Sequence, residues 1–325
     1  MESWLKHFQV TLNPGNKDQA YDKIKPPSDK IPHPITKREV LSMIRKLKKS
    51  KAAGPDGIYK EFLKESTSEL TTTWIELLNI CVQLGEIPNA WRQITLKFLY
   101  KGKGPTNDPN SYRGIALENN PFKLLTNILN ARLTRAKDWK IPEQQFGFRK
   151  GLAVENLLKN IHEVLIKPKQ KFYAVFVDYS KAFDNVNRKH MIKKLGNMEE
   201  LDGHTLTLIY NILAQNVITI DDSVQKSKEV TQTRGVLQED PLSPLLFNVM
   251  TADIIQICRP SIKMYIYADD MLQEKRSWII CGVTAEKICS PVCYSDGDKN
   301  LNSVMRWDMT GALRSEKTTE CHIAW

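Results

Sequence analysis

Three carboxylates in this 325-residue chain stand where side chains of their type can do chemistry. Asp178 ends the apolar run Phe172-Tyr-Ala-Val-Phe-Val, and Asp269 and Asp270 mark the tip of Met264-Tyr-Ile-Tyr-Ala-Asp-Asp-Met271. Carboxylates in apolar surroundings lose solvation and repel one another, so they need a partner. Mg²⁺ is a fitting one: it takes oxygen ligands, keeps several waters, and is commonly held by one or two carboxylates plus substrate phosphates. Two such ions about 4 Å apart can activate an attacking 3′-hydroxyl and stabilise a leaving pyrophosphate. Taken alone, an Asp-Asp pair is more simply a turn.

Those carboxylates need strands and a tight hairpin to hold them. Residues 172–178 read as a short buried-type strand, and 263–271 as two tiny strands joined at Ala268-Asp269. Upstream, Thr36 and Glu39 form a capping box that starts a helix with Val40, Met43, Ile44 and Leu47 on one face. A helical stretch over 59–84 ends at Gly85. Residues 94–100 and 112–117 read as a strand and its return, and 121–136 as a helix with Leu124, Leu125, Ile128, Leu129 and Leu133 on one side. Two helices follow near 188–196 and 203–215, short strands near 217–231, and a helix opened by Pro241 and Pro244. Helices mixed with short, separated strands predict an α+β fold. Residues 1–35, with four prolines between 26 and 34, read as a lead-in of little periodicity, and the pattern degrades after Met271.

Composition narrows the class. Hydrophobic residues at 41% and charged residues at 26% are globular proportions, which argues against wholesale disorder. No apolar run is long enough to span a bilayer, no N-terminal basic-then-apolar leader is visible, and six scattered cysteines suit a reduced compartment, nucleus or cytoplasm. The formal charge is +10 and unevenly placed. Lys and Arg outnumber Asp and Glu by 30 to 17 in residues 1–172, whereas the ratio is 17 to 20 in 173–325. A polyanion lying across the first half would meet carboxylates in the second.

The segments Phe176-Val-Asp-Tyr-Ser-Lys-Ala-Phe-Asp184, Gly235-Val-Leu-Gln-Glu-Asp-Pro-Leu-Ser-Pro244 and Tyr267-Ala-Asp-Asp270 occur in this order. They resemble the three palm motifs of reverse transcriptases, particularly those of non-LTR (LINE-like) retrotransposons and group II introns. Ala52-Ala-Gly-Pro-Asp-Gly-Ile58, Leu99-Tyr-Lys-Gly-Lys-Gly104, Asn110-Ser-Tyr-Arg-Gly-Ile115 and Gln145-Phe-Gly-Phe-Arg149 look like the fingers motifs of that family. The resemblance covers about residues 36–272. It implies fingers over 36–172 and palm over 173–272, after the 1–35 lead-in and before a divergent 273–325 tail in which no thumb is recognisable.

The resemblance also implies an RNA-directed DNA polymerase, with an RNA template, a DNA primer and dNTPs as partners, no membrane, and two Mg²⁺ (or Mn²⁺) ions as cofactors. Asp178, Asp269 and Asp270 would be the catalytic metal carboxylates, with the Tyr179 backbone carbonyl beside them. Phe183 would be the aromatic gate that leaves no room for a 2′-hydroxyl. Arg113 would grip the triphosphate, aided by Lys101 or less readily Lys103. Gln238 would contact the incoming nucleotide or template, and Asp184 would orient its neighbours. Lys51, Lys60, Arg149 and Lys150 would touch template phosphates, although each is equally a candidate solvated charge.

Where the family has glycine after that glutamine, this chain has Glu239, which implies weak or absent extension, as does the missing thumb. A degenerate remnant that binds nucleic acid without polymerising is the rival reading, and an RNA-templated RNA polymerase a more distant one. In the tail, Cys289 and Cys293 have the spacing of a half zinc site without a clear second pair.

Overall fold

The computed structural model describes residues 2–13, 32–135, 141–165, 172–179, 181–198, 201–214, 216–221, 226–257, 262–276, 304–307 and 313–315. In chain order the elements begin with α1 (Glu2–Leu12), α2 (Lys37–Lys46), α3 (Lys60–Lys64), α4 (Ser68–Leu84), β1 (Gln93–Tyr100), β2 (Tyr112–Leu117) and α5 (Asn120–Arg135). They continue through α6 (Val154–Leu165), β3 (Phe172–Asp178), α7 (Arg188–Gly196), α8 (Gly203–Leu213), β4 (Asn216–Asp221) and β5 (Lys226–Gln232). They end with α9 (Ser243–Thr251), α10 (Ile254–Ile257), β6 (Ile262–Tyr267), β7 (Asp270–Arg276), β8 (Val304–Trp307) and β9 (Leu313–Ser315). This is the α+β mixture that the sequence predicts. Residues 1–139 with 183–246 form one compact unit, and residues 140–182 with 247–325 a second.

In the first unit, α2, α4, α5 and α8 bury Val40, Met43, Ile44, Leu78, Val82, Leu124, Leu125, Ile128, Leu129 and Leu208 in one cluster. The capping box forms as expected: Thr36 Oγ1 accepts from the Glu39 N–H, and the Glu39 carboxylate accepts from the Thr36 N–H. Arg132 on α5 donates from both Nε and Nη2 to the same carboxylate, at 2.8 and 2.9 Å. The helix expected over 59–84 is two. Thr67 caps a new helix by accepting from the Leu70 N–H, and Gly85 closes it at φ +66.

The sheet of this unit runs β2-β1-β4-β5. Strand β1 is antiparallel to β2, from Thr95 opposite Leu117 to Tyr100 opposite Tyr112, and parallel to β4. The N-terminal segment is not only a lead-in. Helix α1 lies on this sheet, with the rings of Trp4 and Phe8 each 4.8 Å from that of Phe98. Phe8 and Leu12 are buried with Ile94, Leu96, Ala116, Ile218 and Ile220. The four-residue spacing of Trp4, Phe8 and Leu12 is the signal that carries this helix.

The second sheet runs β6-β7-β3-β8-β9. Strands β6 and β7 make the expected hairpin, although β7 continues to Arg276. Helix α6, absent from the sequence reading, precedes β3. Beyond the hairpin the tail is not featureless: β8 pairs with β3, Tyr173 opposite Arg306, and β9 pairs with β8. Cys281, Cys289, Cys293, Cys321 and His322 lie outside the described residues.

Candidate active site

Strand register decides which acidic residues meet in the second unit. In the antiparallel pair of β3 and β7, Val177 lies opposite Met271 and Asp178 opposite Asp270. Directly opposed residues in such a pair have Cα atoms about 4.5–5.5 Å apart. Tyr267 of β6 is also opposite Asp270, so Ala268 and Asp269 are the two residues of the hairpin turn. Ala268 has φ +58, the backbone that the first position of a tight primed turn requires. Val177, Met271 and Gln273 are buried, Asp269 is half-buried and Asp270 exposed. The hairpin therefore packs its apolar side into the unit and keeps the acidic tip toward water.

Tyr179 follows at once, its ring buried edge-on against Phe247 with centroids 6.2 Å apart. Among the described side chains, which do not include that of Asp178, no three His, Cys, Asp or Glu groups are gathered for a metal ion. The oxygen donors that this register gathers are nevertheless of the hard type that divalent Mg²⁺ or Mn²⁺ takes.

Of the residues expected on the template, Lys150 is exposed, while the Arg149 guanidinium donates to the Pro142 and Gln145 carbonyls at 3.1 and 3.2 Å. Arg149 therefore braces its own loop.

Of the residues expected on the nucleotide, the first unit holds Lys101, Arg113, Phe183 and Gln238, and Tyr179 belongs to the second. Arg113 on β2 is exposed and lies opposite Leu99. The loop before it is tied back by Lys101, whose Nζ donates to the Asn110 carbonyl at 2.7 Å and whose N–H donates to that of Ser111 at 2.9 Å. Gly104 is needed there: its φ is +84, and a β-carbon would fall 2.5 Å from the Ser111 hydroxyl. Lys103 is exposed.

The Phe183 carbonyl accepts from the Val236 N–H at 2.9 Å, and the Gln238 carbonyl from the Ala116 N–H at 3.2 Å. Gln238 Nε2 donates to Asp184 Oδ1 at 3.4 Å. Gly235 is pressed against Asp184, whose carbonyl oxygen would lie 2.7 Å from an added β-carbon. Glu239 is exposed and has φ +79, left-handed backbone that favours the glycine expected there.

Lys60 is half-buried, and its amine is held below the usual lysine range by burial, then by Lys123 and Lys51, with Glu61 and then Glu239 pulling the other way. The expected template lysines Lys51 and Lys60 thus share one field with Lys123 and Glu239.

Sequence reasoning missed three features. Glu118, at the end of β2, and Asp240 are both buried. Burial and then Asp240 raise the Glu118 carboxyl well above its ordinary range, against Lys123, whose Nζ lies 3.5 Å away. Asp240 is raised chiefly by burial, against bonds from Thr126 and the Leu242 N–H. The third feature is Arg188, buried at the start of α7, which donates to the carbonyls of Leu213, Gln232 and Gly235. No local pattern announces the approach of Glu118 to Asp240 or the three carbonyls around Arg188, because those partners come from distant segments.

Residues 101–274 match the family described as reverse transcriptase (RNA-dependent DNA polymerase). The chain is 28% identical over 250 residues to a putative 115 kDa protein in the type-1 retrotransposable element R1DM of Drosophila melanogaster, covering 75% of this chain and 24% of that protein. It is 26% identical over 263 residues to the RNA-directed DNA polymerase from the mobile element jockey of the same fly, covering 77% of this chain and 28% of that one. With the Pol polyprotein of the type-1 retrotransposable element R2 of Popillia japonica it shares 26% over 252 residues, 74% of this chain and 34% of the polyprotein. The chain thus spans about a quarter to a third of the length of these relatives. Among the described residues no helix is long and apolar enough to cross a membrane. A match over more than half of the chain, taking in both Asp178 and the Asp269–Asp270 hairpin in register with it, makes this protein a member of the reverse transcriptase (RNA-dependent DNA polymerase) family.

Proposed function

We propose that this chain is the polymerase portion of a retrotransposon reverse transcriptase, adding deoxynucleotides from dNTPs to a primer 3′-hydroxyl on an RNA template. The observation that carries the reading is the register of Asp178 with Asp270, next to the Asp269 turn, inside the matched region. Reverse transcriptases generally use divalent metal ions. In this reading Asp178, Asp269 and Asp270 hold two of them, Mg²⁺ or Mn²⁺, and the Tyr179 carbonyl adds an oxygen. Bound there, divalent ions supply the positive charge that makes an attacking hydroxyl more acidic and neutralises a departing pyrophosphate.

The chain's own side chains do the rest. Arg113 forks onto the triphosphate with Lys101 beside it, and Phe183 occupies the space a 2′-hydroxyl needs. Gln238, steadied by Asp184, meets the nascent pair. Lys51, Lys60 and Lys150 neutralise template phosphates, and Arg149 supports Lys150 by bracing its loop. Residues 36–172 and 173–272 then act as fingers and palm.

Primer extension on an RNA template with Mg²⁺ and dNTPs tests the reading, with Asp178→Asn and Asp269→Asn as blanks. Weak extension by the parent, stronger in Glu239→Gly, and none by either blank is expected. Equal extension by an Asn variant excludes that carboxylate from the chemistry.

A further inference from the structure

The segment Gln145-Phe-Gly-Phe-Arg149, which resembles a fingers motif, turns its buried atoms to the acidic turn. Gln144 and Phe146 pair with β6 in strand fashion: the Phe146 N–H donates to the Ile266 carbonyl at 2.7 Å, and the Ile266 N–H to that of Gln144 at 2.9 Å. Strand β6 ends one residue later, at Tyr267, and the Gln145 side chain carries the pairing onward. Its Oε1 accepts from the Ala268 N–H at 2.9 Å and the Gly147 N–H at 2.8 Å, and its Nε2 donates to the Ala268 carbonyl at 3.2 Å. Both backbone polar groups of Ala268 are thereby held by one side chain that is 2% exposed.

The fit around that side chain is close. A β-carbon on Gly147 would lie 2.2 Å from the Ala268 nitrogen, and Asn248 on α9 donates to the Gly147 carbonyl at 3.0 Å. The turn needs such a hold. Its first residue is alanine at φ +58, not the Asn or Gly that tight hairpins favour, so the local sequence does not select this backbone. No other residue type reproduces the grip: Asn is one methylene too short, Glu lacks the donor, and Met lacks both polar functions.

We infer that Gln145 is a positioning residue for metal binding: by clasping Ala268 it sets the peptide plane that presents Asp269 and Asp270 to the ions. This rests on the function proposed above, because it assumes that those carboxylates ligate metal. Partners that orient ligating groups are typically worth 10–100-fold in metal affinity.

The test is a Mn²⁺ titration of the full chain, followed by electron paramagnetic resonance well below the unfolding temperature, with thermal unfolding run alongside. The parent, Gln145→Met, Gln145→Glu and Asp269→Asn are compared. Expected is clear binding by the parent, its loss in Asp269→Asn, and 10–100-fold weaker binding in both Gln145 variants while they remain folded. A purely structural role moves the unfolding temperature and leaves the Mn²⁺ affinity of the folded chain alone. Affinities within twofold of the parent in a folded Gln145 variant overturn the inference and leave the metal reading standing. If Gln145→Met does not fold, Gln145→Glu decides, since it keeps the volume and one acceptor and puts a second, charged oxygen where the donor met the Ala268 carbonyl. Failure of the parent to bind, or unchanged binding by Asp269→Asn, overturns the metal reading and this inference with it.

Discussion

Replacing Glu239 with glycine should make this protein both more stable and a better polymerase. The residue has φ +79 and is exposed, so its side chain contributes little packing while its β-carbon crowds the backbone. Left-handed backbone costs a non-glycine residue about 1–2 kcal/mol, and a new glycine gives back roughly 0.5–1 kcal/mol through the freer unfolded chain. The net expectation is a gain of about 0.5–1 kcal/mol, seen as a rise in unfolding temperature of about 1–3 °C in a chain of this size.

Two controls separate strain from charge. Glu239→Ala keeps the β-carbon and removes the charge, so it should not raise the unfolding temperature, while Glu239→Asn, which tolerates this backbone, should give part of the rise. In primer extension, Gly should exceed Ala and Ala should exceed the parent, since Ala relieves only the repulsion of the triphosphate. Either change also removes one of the groups that help Lys60 keep its proton. Identical unfolding temperatures for the Gly and Ala variants would refute the strain argument. Equal, robust extension by the parent and the Gly variant would show that Glu239 is harmless.

Gly147→Ala drives a β-carbon against the Ala268 backbone, which cannot yield as a flexible side chain can; calorimetry should register a loss of about 1–3 kcal/mol. Affinity for a template–primer duplex should fall steeply with salt, by about 10³-fold or more between 50 and 200 mM if six or more phosphates are neutralised. A flat response in fluorescence anisotropy would count against a phosphate-tracking surface. Arg132 and the Thr36 cap hold the Glu39 carboxyl down at about 2, below its ordinary 4.5. Because the folded value is the lower one, the stabilisation is complete above about pH 4.5 and fades as pH falls toward 2. Arg132→Gln should therefore cost about 1 kcal/mol at pH 7, and the gap to the parent should narrow in denaturation curves between pH 5 and 2. The bonds from Arg132 to the His33 and Pro34 carbonyls do not titrate, so part of the gap persists at low pH. A gap that widens with acid contradicts the sign.

Much of this protein is written locally. The capping box at Thr36 and Glu39, the apolar faces of α2 and α5, the Gly85 stop and the bounds of β2 and β3 follow from periods and caps a few residues long. Such features depend on the backbone's own sterics and on neighbours one turn away. Motif order likewise singled out Asp178, Asp269 and Asp270, because the chain places them in recognisable runs. Helix α1 was legible in principle, through Trp4, Phe8 and Leu12, but its reason to form is the sheet it covers.

The tertiary structure alone decided the rest. The parallel pairing of β1 with β4 joins strands more than a hundred residues apart, and no local signal encodes a partner at that distance. The buried pair Glu118 and Asp240, with the Lys123 amine 3.5 Å from Glu118, exists only because β2, α5 and the turn after Gln238 converge. Glu239 read as an odd residue in a motif; only its φ of +79 turned that oddity into a backbone cost. Gln145 read only as part of a fingers motif, and its grip on Ala268 spans 123 residues of chain. A side-chain amide can complete a strand's hydrogen bonding wherever the fold brings the two together, so that role belongs to the packed chain and not to any stretch of sequence.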